Sequence, residues 1–461
     1  MREFIAPLRR LAVVWLAGLA LLALATGYWQ VVAAPALQAN PNNGRASYRL
    51  SLIQPGKLLT SDGTVILTAQ REAEGWRSEY PEPQVFCHLT GYNQRTGLQA
   101  GLREALLGLG RYSRPWQAFL PGGMRGEDVV LTLNAEAQRV ATQALRGYRG
   151  AVVALDPRDG AVRVLVSAPA YDPQTVTTPE AYELFRSDPH SAELDRALQG
   201  LYTPGSALKA LTAAIGLQVG AATPTTQFTC AGTETVGGTR VSCPKAHGKL
   251  NLTAALAESC NLSFAKLGLL IGPERFRDYV RRFHLLDSAD LALPSAAGRM
   301  SDLSGPRVKQ YLAHTAYGQW QTLVTPLAMA RLAATLARGG TVIQPYLVAE
   351  VRSPSGEVLQ RGQGRELGQA VSPATARQVA GMMQSAVEKG TAGVLRIPGL
   401  TVAAKTGTAQ KNQAKPDVWI IAFAPVENPT VALAVVIEGG ESGGQTAGPI
   451  AREVLRALLG G

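Results

Sequence analysis

At 461 residues the chain is too long for one small module and, at about 150 residues per domain, accommodates two or three. Apolar residues at 46% against 17% charged exclude disorder or a coiled coil as the main architecture. The balance of 45 basic against 34 acidic residues, net +11, suits an acidic partner such as nucleic acid or an anionic membrane or wall surface. No Lys/Arg run exceeds two residues, aromatics are only 6%, and no nucleic-acid-binding signature is present, so the reading is of a protein with no nucleic acid partner.

Residues 11–32 form an uncharged stretch of 22, long enough as a helix to cross a hydrocarbon core of about 30 Å. Arg2, Arg9 and Arg10 precede it and the next basic residue is Arg45, so the positive-inside rule puts the N-terminus in the cytoplasm and the rest outside. Tyr28 and Trp29 fit an interfacial anchor. Ala23-Leu24-Ala25 resembles a signal-cleavage site, but the apolar run continues to Val32, and we read an uncleaved anchor.

Prolines and glycines punctuate residues 34–124, where short strands and turns are expected around one hairpin-like signal at Asp62-Gly63. From Asp128 the texture becomes mixed α/β: a strand at 128–133, a helix at 135–146, and two strands joined about Asp159-Gly160. Helices are expected at 206–219, 253–270, 326–338, 373–389 and 447–458, and strands at 400–409, 417–424 and 431–438. The division predicted is 1–33 for cytoplasmic tip and membrane anchor, 34–124 for a small irregular module, and 125–461 for one mixed α/β domain.

Cys87, Cys230, Cys243 and Cys260 contain no CxxC pair, and the five histidines no HExxH, so a metal site is not expected. Cys230 and Cys243 are either partners in a disulfide, if exported, or two small thiols.

Ser-x-x-Lys places an amine and a hydroxyl on one helix face, and the chain contains it three times: Ser206–Lys209, Ser242–Lys245 and Ser263–Lys266. Pro244 argues against a helix in the second, and the third lies mid-helix, without free backbone N–H groups. The first follows Tyr202-Thr203-Pro204-Gly205 and opens a helix, where unpaired N–H groups face a developing negative charge. A serine needs a base, and a lysine is one only when burial or a nearby cation lowers its pKa; Leu208, Ala210 and Leu211 offer an apolar setting. By itself such a pair is an ordinary helix cap with a solvated lysine. Ser259-Cys260-Asn261 is the only Ser-x-Asn, supplying a relay hydroxyl and an amide, and Lys405-Thr406-Gly407, followed by Thr408, is the only Lys-Thr-Gly, a cation and hydroxyls suited to a carboxylate. Each alone is weak; the ordered trio is far more specific.

With these three motifs the chain resembles the penicillin-binding proteins, and within them the monofunctional class B transpeptidases. Framework segments agree, including Gly150-Ala151-Val152-Val153-Ala154-Leu155-Asp156-Pro157, His247-Gly248, Gly318-Gln319 and Thr325-Pro326-Leu327-Ala328. Residues 34–124 are similar to the penicillin-binding protein A subgroup through Asn40-Pro41-Asn42-Asn43-Gly44-Arg45 and Leu89-Thr90-Gly91-Tyr92. The sequence departs from the family's usual pattern at the residue before Gly56, at Asp195, at Trp320 and at Ala404.

The resemblance implies a serine penicillin-recognising transpeptidase fold: an α/β (α+β) domain with a central antiparallel sheet flanked by helices. It implies attack by Ser206 on the D-alanyl-D-alanine bond of a peptidoglycan stem peptide, with Lys209 as base, Ser259 as relay and Asn261 as positioning amide. Lys405, Thr406, Gly407 and Thr408 would receive the terminal carboxylate on a sheet edge, and the backbone N–H groups of Ser206 and Thr408 would form the oxyanion hole. β-Lactams would acylate the same serine, with no cofactor, metal or nucleotide. The implied partners are stem peptides, penicillin and other β-lactams, the bacterial cell membrane and a separate membrane glycosyltransferase. The alternatives are a D-alanyl-D-alanine carboxypeptidase, a non-catalytic wall-assembly scaffold that binds β-lactams, and a β-lactamase. The last of these, in its class A form, uses a Glu beside an Asn, yet no Asn lies between Asn261 and Lys405.

Overall fold

A computed structural model describes residues 2–34, 51–73, 75–92, 94–109, 124–411 and 414–460; the stretch 40–45 used for the subgroup resemblance lies outside them. At the N-terminus the helix Arg2–Gly27 runs into a π-helical turn, Tyr28–Val32. The stretch Ile5–Val32, 28 residues with a mean hydropathy of 2.0 and its apolar window unburied, is the one described helix long and apolar enough to cross a membrane. At 1.5 Å per residue it measures about 42 Å, more than a hydrocarbon core needs.

A five-stranded antiparallel sheet organises the rest, in the order Ala403–Lys411, Ala414–Ala424, Val431–Ile437, Gly150–Leu155, Val162–Ala168. Val431–Ile437 is apolar at every position because alternate side chains enter different cores. Ala432, Ala434 and Val436 join Trp419, Ile421 and Phe423 on one face, under the helices Lys209–Gln218, Asn261–Ile271, Pro326–Ala337 and Pro373–Lys389. Leu433, Val435 and Ile437 join Val418 and Ile420 on the other, under Ala135–Ala144 and Gly448–Leu459. Burying each large aliphatic side chain contributes about 1.5–3 kcal/mol, so this strand has no face that tolerates a polar residue.

The edge of that sheet is the strand carrying Lys405, as the sequence reading expected. The helix expected over 253–270 is instead two helices, Leu252–Ala257 and Asn261–Ile271. Between them Ser259 sits in the left-handed region at φ 58°, which ends the first helix and turns the Ser-x-Asn segment out of the helical ladder.

A six-stranded sheet draws on distant parts of the chain, in the order Val358–Arg361, Val348–Arg352, Asp128–Leu131, Leu58–Leu59, Val65–Glu72, Gly75–Glu79. The Asp62-Gly63 hairpin is present, with Leu58 opposite Leu67 and Leu59 opposite Val65. The 348–361 strands had no clear signal in the sequence because they are short, polar and half-exposed. Two small two-stranded sheets, Gln227–Cys230 with Gly248–Asn251 and, inserted between those strands in the chain, the hairpin Thr233–Val236 with Thr239–Ser242, lead to Cys243, whose sulfur accepts from the Asn261 N–H just after the Ser259 break.

Candidate active site

The indole of buried Trp419 donates to the Thr203 carbonyl at 2.9 Å, anchoring the segment that leads into the 3₁₀ turn Gly205–Leu208. The α-helix Lys209–Gln218 follows directly. Three-residue spacing on this turn puts Lys209 Nζ 3.1 Å from Ser206 Oγ. The same nitrogen lies 2.6 Å from the Ser259 carbonyl oxygen, 2.7 Å from Asn261 Oδ1 and 3.2 Å from Ser259 Oγ. The left-handed Ser259 aims that carbonyl, and Asn261 is held by donating from Nδ2 to the Ser242 carbonyl at 2.8 Å.

Lys405 enters from the edge strand, opposite Ile421, with Nζ 2.9 Å from Ser259 Oγ and 2.9 Å from the Thr406 carbonyl. The Ser259 hydroxyl therefore bridges two amines. At Gly407 a Cβ would stand 2.9 Å from the Pro204 carbonyl oxygen and 3.0 Å from the Ala207 nitrogen, so only glycine lets the strand lie against the nucleophile turn. The Thr406 hydroxyl is committed to Thr391 Oγ1 at 2.7 Å, whereas Thr408 is half-buried.

Lys209 and Lys405 are both fully buried, and among the described residues no carboxylate pairs with either. Burial disfavours the charged form and brings the Lys209 ammonium down to about 7. Lys405 is held well below its ordinary value by burial and, secondly, by the neighbouring Lys209 charge. A neutral Lys209 has two N–H bonds, which match its two shortest contacts, the Ser259 carbonyl and Asn261 Oδ1. Its lone pair is then left for the Ser206 hydroxyl proton, the arrangement a general base requires.

The five side chains expected to be catalytic, Ser206, Lys209, Ser259, Asn261 and Lys405, thus meet in one cluster. The rival Ser-x-x-Lys pairs do not join it. Ser263 is buried and donates to Cys260 Sγ at 3.1 Å, Lys266 pairs with Glu234 at 2.7 Å, and Lys245 pairs with Glu258 at 3.0 Å. Sequence reasoning assigned no role to Gln319, whose Nε2 donates to the Thr408 carbonyl at 3.0 Å, or to Thr391. Gly318-Gln319 was visible only as part of the family framework; Thr391 carried no signal.

The two alternatives left open for Cys230 and Cys243 are decided by the structure. Cys230 and Cys243 are free thiols; the Cys243 sulfur faces Cys260 at 3.8 Å, and Cys230, Cys243, His247 and Cys260 converge on one point. The spacing concealed this because the four residues come from two short strand pairs and a helix break, brought together only by folding.

A buried amine aligned on a hydroxyl at the start of a helix, beside an antiparallel edge strand, is the constellation of a serine acyltransferase. Residues 150–456 match the family described as "Penicillin binding protein transpeptidase domain". The chain belongs to the penicillin-binding protein transpeptidases, in their class B, penicillin-binding protein A group. It is 34% identical to the peptidoglycan D,D-transpeptidase PbpA of Mycobacterium tuberculosis over 99% of both chains. It is 30% identical to the peptidoglycan D,D-transpeptidase MrdA of Salmonella typhimurium over 72% of this chain and 59% of that one. Among solved structures it resembles the ceftriaxone acyl-enzyme complex of M. tuberculosis penicillin-binding protein A, with a TM-score of 0.84 and 31% identity, over 89% of this chain and 100% of that one.

Proposed function

We propose that this chain is a peptidoglycan D,D-transpeptidase that cross-links stem peptides through an acyl-enzyme on Ser206 and is acylated there by β-lactams. The observation that carries the assignment of roles is the position of Lys209 Nζ, in reach of Ser206, Ser259 and Asn261 at once. Lys209 takes the Ser206 proton as Oγ attacks the D-alanyl carbonyl, and Ser259, bonded to both amines, returns it to the departing D-alanine. The incoming terminal carboxylate draws Lys405 back toward its charged form and meets the Thr408 hydroxyl, with Thr406 and Gly407 shaping the strand. Backbone N–H groups of Ser206 and Thr408 stabilise the oxyanion, each worth about 2.7–4 kcal/mol where such donors have been removed. An amine from a second stem peptide then releases the acyl group.

The N-terminal helix serves as a single membrane anchor, with the arginine-bearing end cytoplasmic and the catalytic residues outside. Residues 34–124 then form the non-catalytic module and 125–461 the transpeptidase domain, working with a separate membrane glycosyltransferase.

The test is labelling with a fluorescent penicillin followed by peptide mapping, in the wild type and in Ser206→Ala. The label is expected on the Ser206 peptide and is expected to vanish in the variant; label on Ser263, or unchanged labelling of the variant, overturns the assignment. An assay with and without an acceptor amine separates transpeptidation from carboxypeptidase activity.

A further inference from the structure

We propose that Trp320 is a specificity-determining residue at the mouth of the active site, where its indole stacks on the acyl side of the donor. That side is the stem peptide ahead of the cleaved bond, or the side chain of a penicillin. Among the described residues after the N-terminal helix, Trp320 is the one tryptophan exposed to solvent, at 47%. Its backbone lies in the left-handed region at φ 78°, a rare conformation for a bulky residue and one that glycine takes freely. Strain kept at an exposed position points to a use for the side chain.

The indole is a backed, flat surface. Tyr311 and His314 stand one turn apart on the helix Val308–Ala316, so their rings project from one face of it. The Tyr311 ring stacks on the indole with 5.7 Å between centroids and 25° between planes, and the His314 imidazole with 5.3 Å and 20°. Both rings support the indole from the helix side, which leaves its opposite face to solvent. His314 is fixed in turn, with Nδ1 on the Tyr317 hydroxyl and Nε2 2.9 Å from the Thr239 hydroxyl.

The chain ties this surface to the reacting groups. Gly318 lies so close to the nucleophile turn that a Cβ there would stand 1.5 Å from the Gly205 carbonyl oxygen. Gln319, immediately before Trp320, donates from Nε2 to the Thr408 carbonyl on the edge strand at 3.0 Å. Thr239, the support of His314, opens the strand Thr239–Ser242, whose Ser242 carbonyl holds Asn261. Trp320 is thus linked to both walls of the site, to the Lys405 strand through Gln319 and to the Ser259–Asn261 turn through His314. An indole face attracts aromatic and C–H surfaces rather than carboxylates. The acyl side of the donor carries such surface, in the aliphatic peptide chain or in the phenyl ring of benzylpenicillin, whereas its carboxylate goes to Lys405 and Thr408. The inference rests on the transpeptidase reading and extends it to substrate choice.

The experiment follows acylation of the full-length protein in detergent by intact mass spectrometry. The two reagents are benzylpenicillin and aminopenicillanic acid, the same nucleus without a side-chain acyl group. Trp320→Gly suits the backbone conformation and is expected to fold. Its acylation by benzylpenicillin is expected to slow by about two- to tenfold, the range of an aromatic stack, with the rate toward aminopenicillanic acid unchanged. Trp320→Phe is expected to recover most of the benzylpenicillin rate. Equal slowing toward both reagents, no change toward either, or an effect seen only when an acceptor amine is added would overturn the proposal. A second readout uses wild type labelled with fluorotryptophan. The fluorine resonance that Trp320→Phe removes is expected to shift on acylation by benzylpenicillin and to stay in place with aminopenicillanic acid. A resonance that stays in place with benzylpenicillin, or moves equally with both, overturns the proposal even if the glycine variant fails to fold. Absence of any label on Ser206 strikes the transpeptidase reading itself, whereas normal Ser206 labelling with an unchanged preference strikes only the role of Trp320.

Discussion

Ser206–Lys209 and Ser263–Lys266 share one spacing and both lie at or near a helix start, yet their surroundings differ completely. Lys209 is fully buried among uncharged acceptors with its amine on the serine, while Lys266 reaches out to Glu234 and leaves Ser263 bonded to a cysteine sulfur. Spacing brings amine and hydroxyl to one helix face in both cases. What sets the Lys209 pair apart is that no carboxylate among the described residues holds the lysine charged, while burial penalises that charge.

The most severe way to break the contrast is Lys209→Arg, which keeps a cation of similar length but one that does not deprotonate. Acylation by penicillin is expected to fall by about 10²- to 10⁴-fold, the usual worth of a general base, as measured by stopped-flow or gel labelling. The pH profile sharpens the same point. Because burial depresses Lys209 to about 7, the neutral base is present above that pH, and the wild-type acylation rate is expected to fall as pH drops through it. A rate flat from pH 5.5 to 8.5 would contradict this assignment.

Gly318→Ala comes next. Gly318 has φ 84°, and a Cβ there would sit 1.5 Å from the Gly205 carbonyl oxygen, so the nucleophile turn must shift. A rate loss of about a hundredfold is expected, with the label still on Ser206. Smallest is Lys266→Met. The Lys266–Glu234 pair is partly exposed, so its loss is expected to cost under about 1 kcal/mol in thermal or chemical unfolding and to leave the labelling rate unchanged.

Much of this was legible in the chain itself. The apolar run of Val431–Ile437, the Thr325 cap of Pro326–Ala337 and the Asp62-Gly63 turn are local signals, and the elements fall where those signals lie. The break at Ser259 was not, because Leu252–Ala257 and Asn261–Ile271 are each good helix formers and the interruption is set by contacts to Lys209 and Cys243 from elsewhere. Gln319 and Thr391 escaped for a similar reason: each acts through one hydrogen bond to the Lys405 strand, across a sequence separation no pattern reports.

The order and identity of the three motifs, the membrane-length helix and the apolar strands were determined by the sequence alone, since each depends on neighbours a few residues apart. Tertiary structure decided which of three equivalent serine–lysine pairs buries its amine and so lowers its pKa, and which cysteines face a histidine. Burial and charge are properties of the whole surrounding volume, and only the folded chain assembles that volume from residues as distant as Ser206, Ser259 and Lys405.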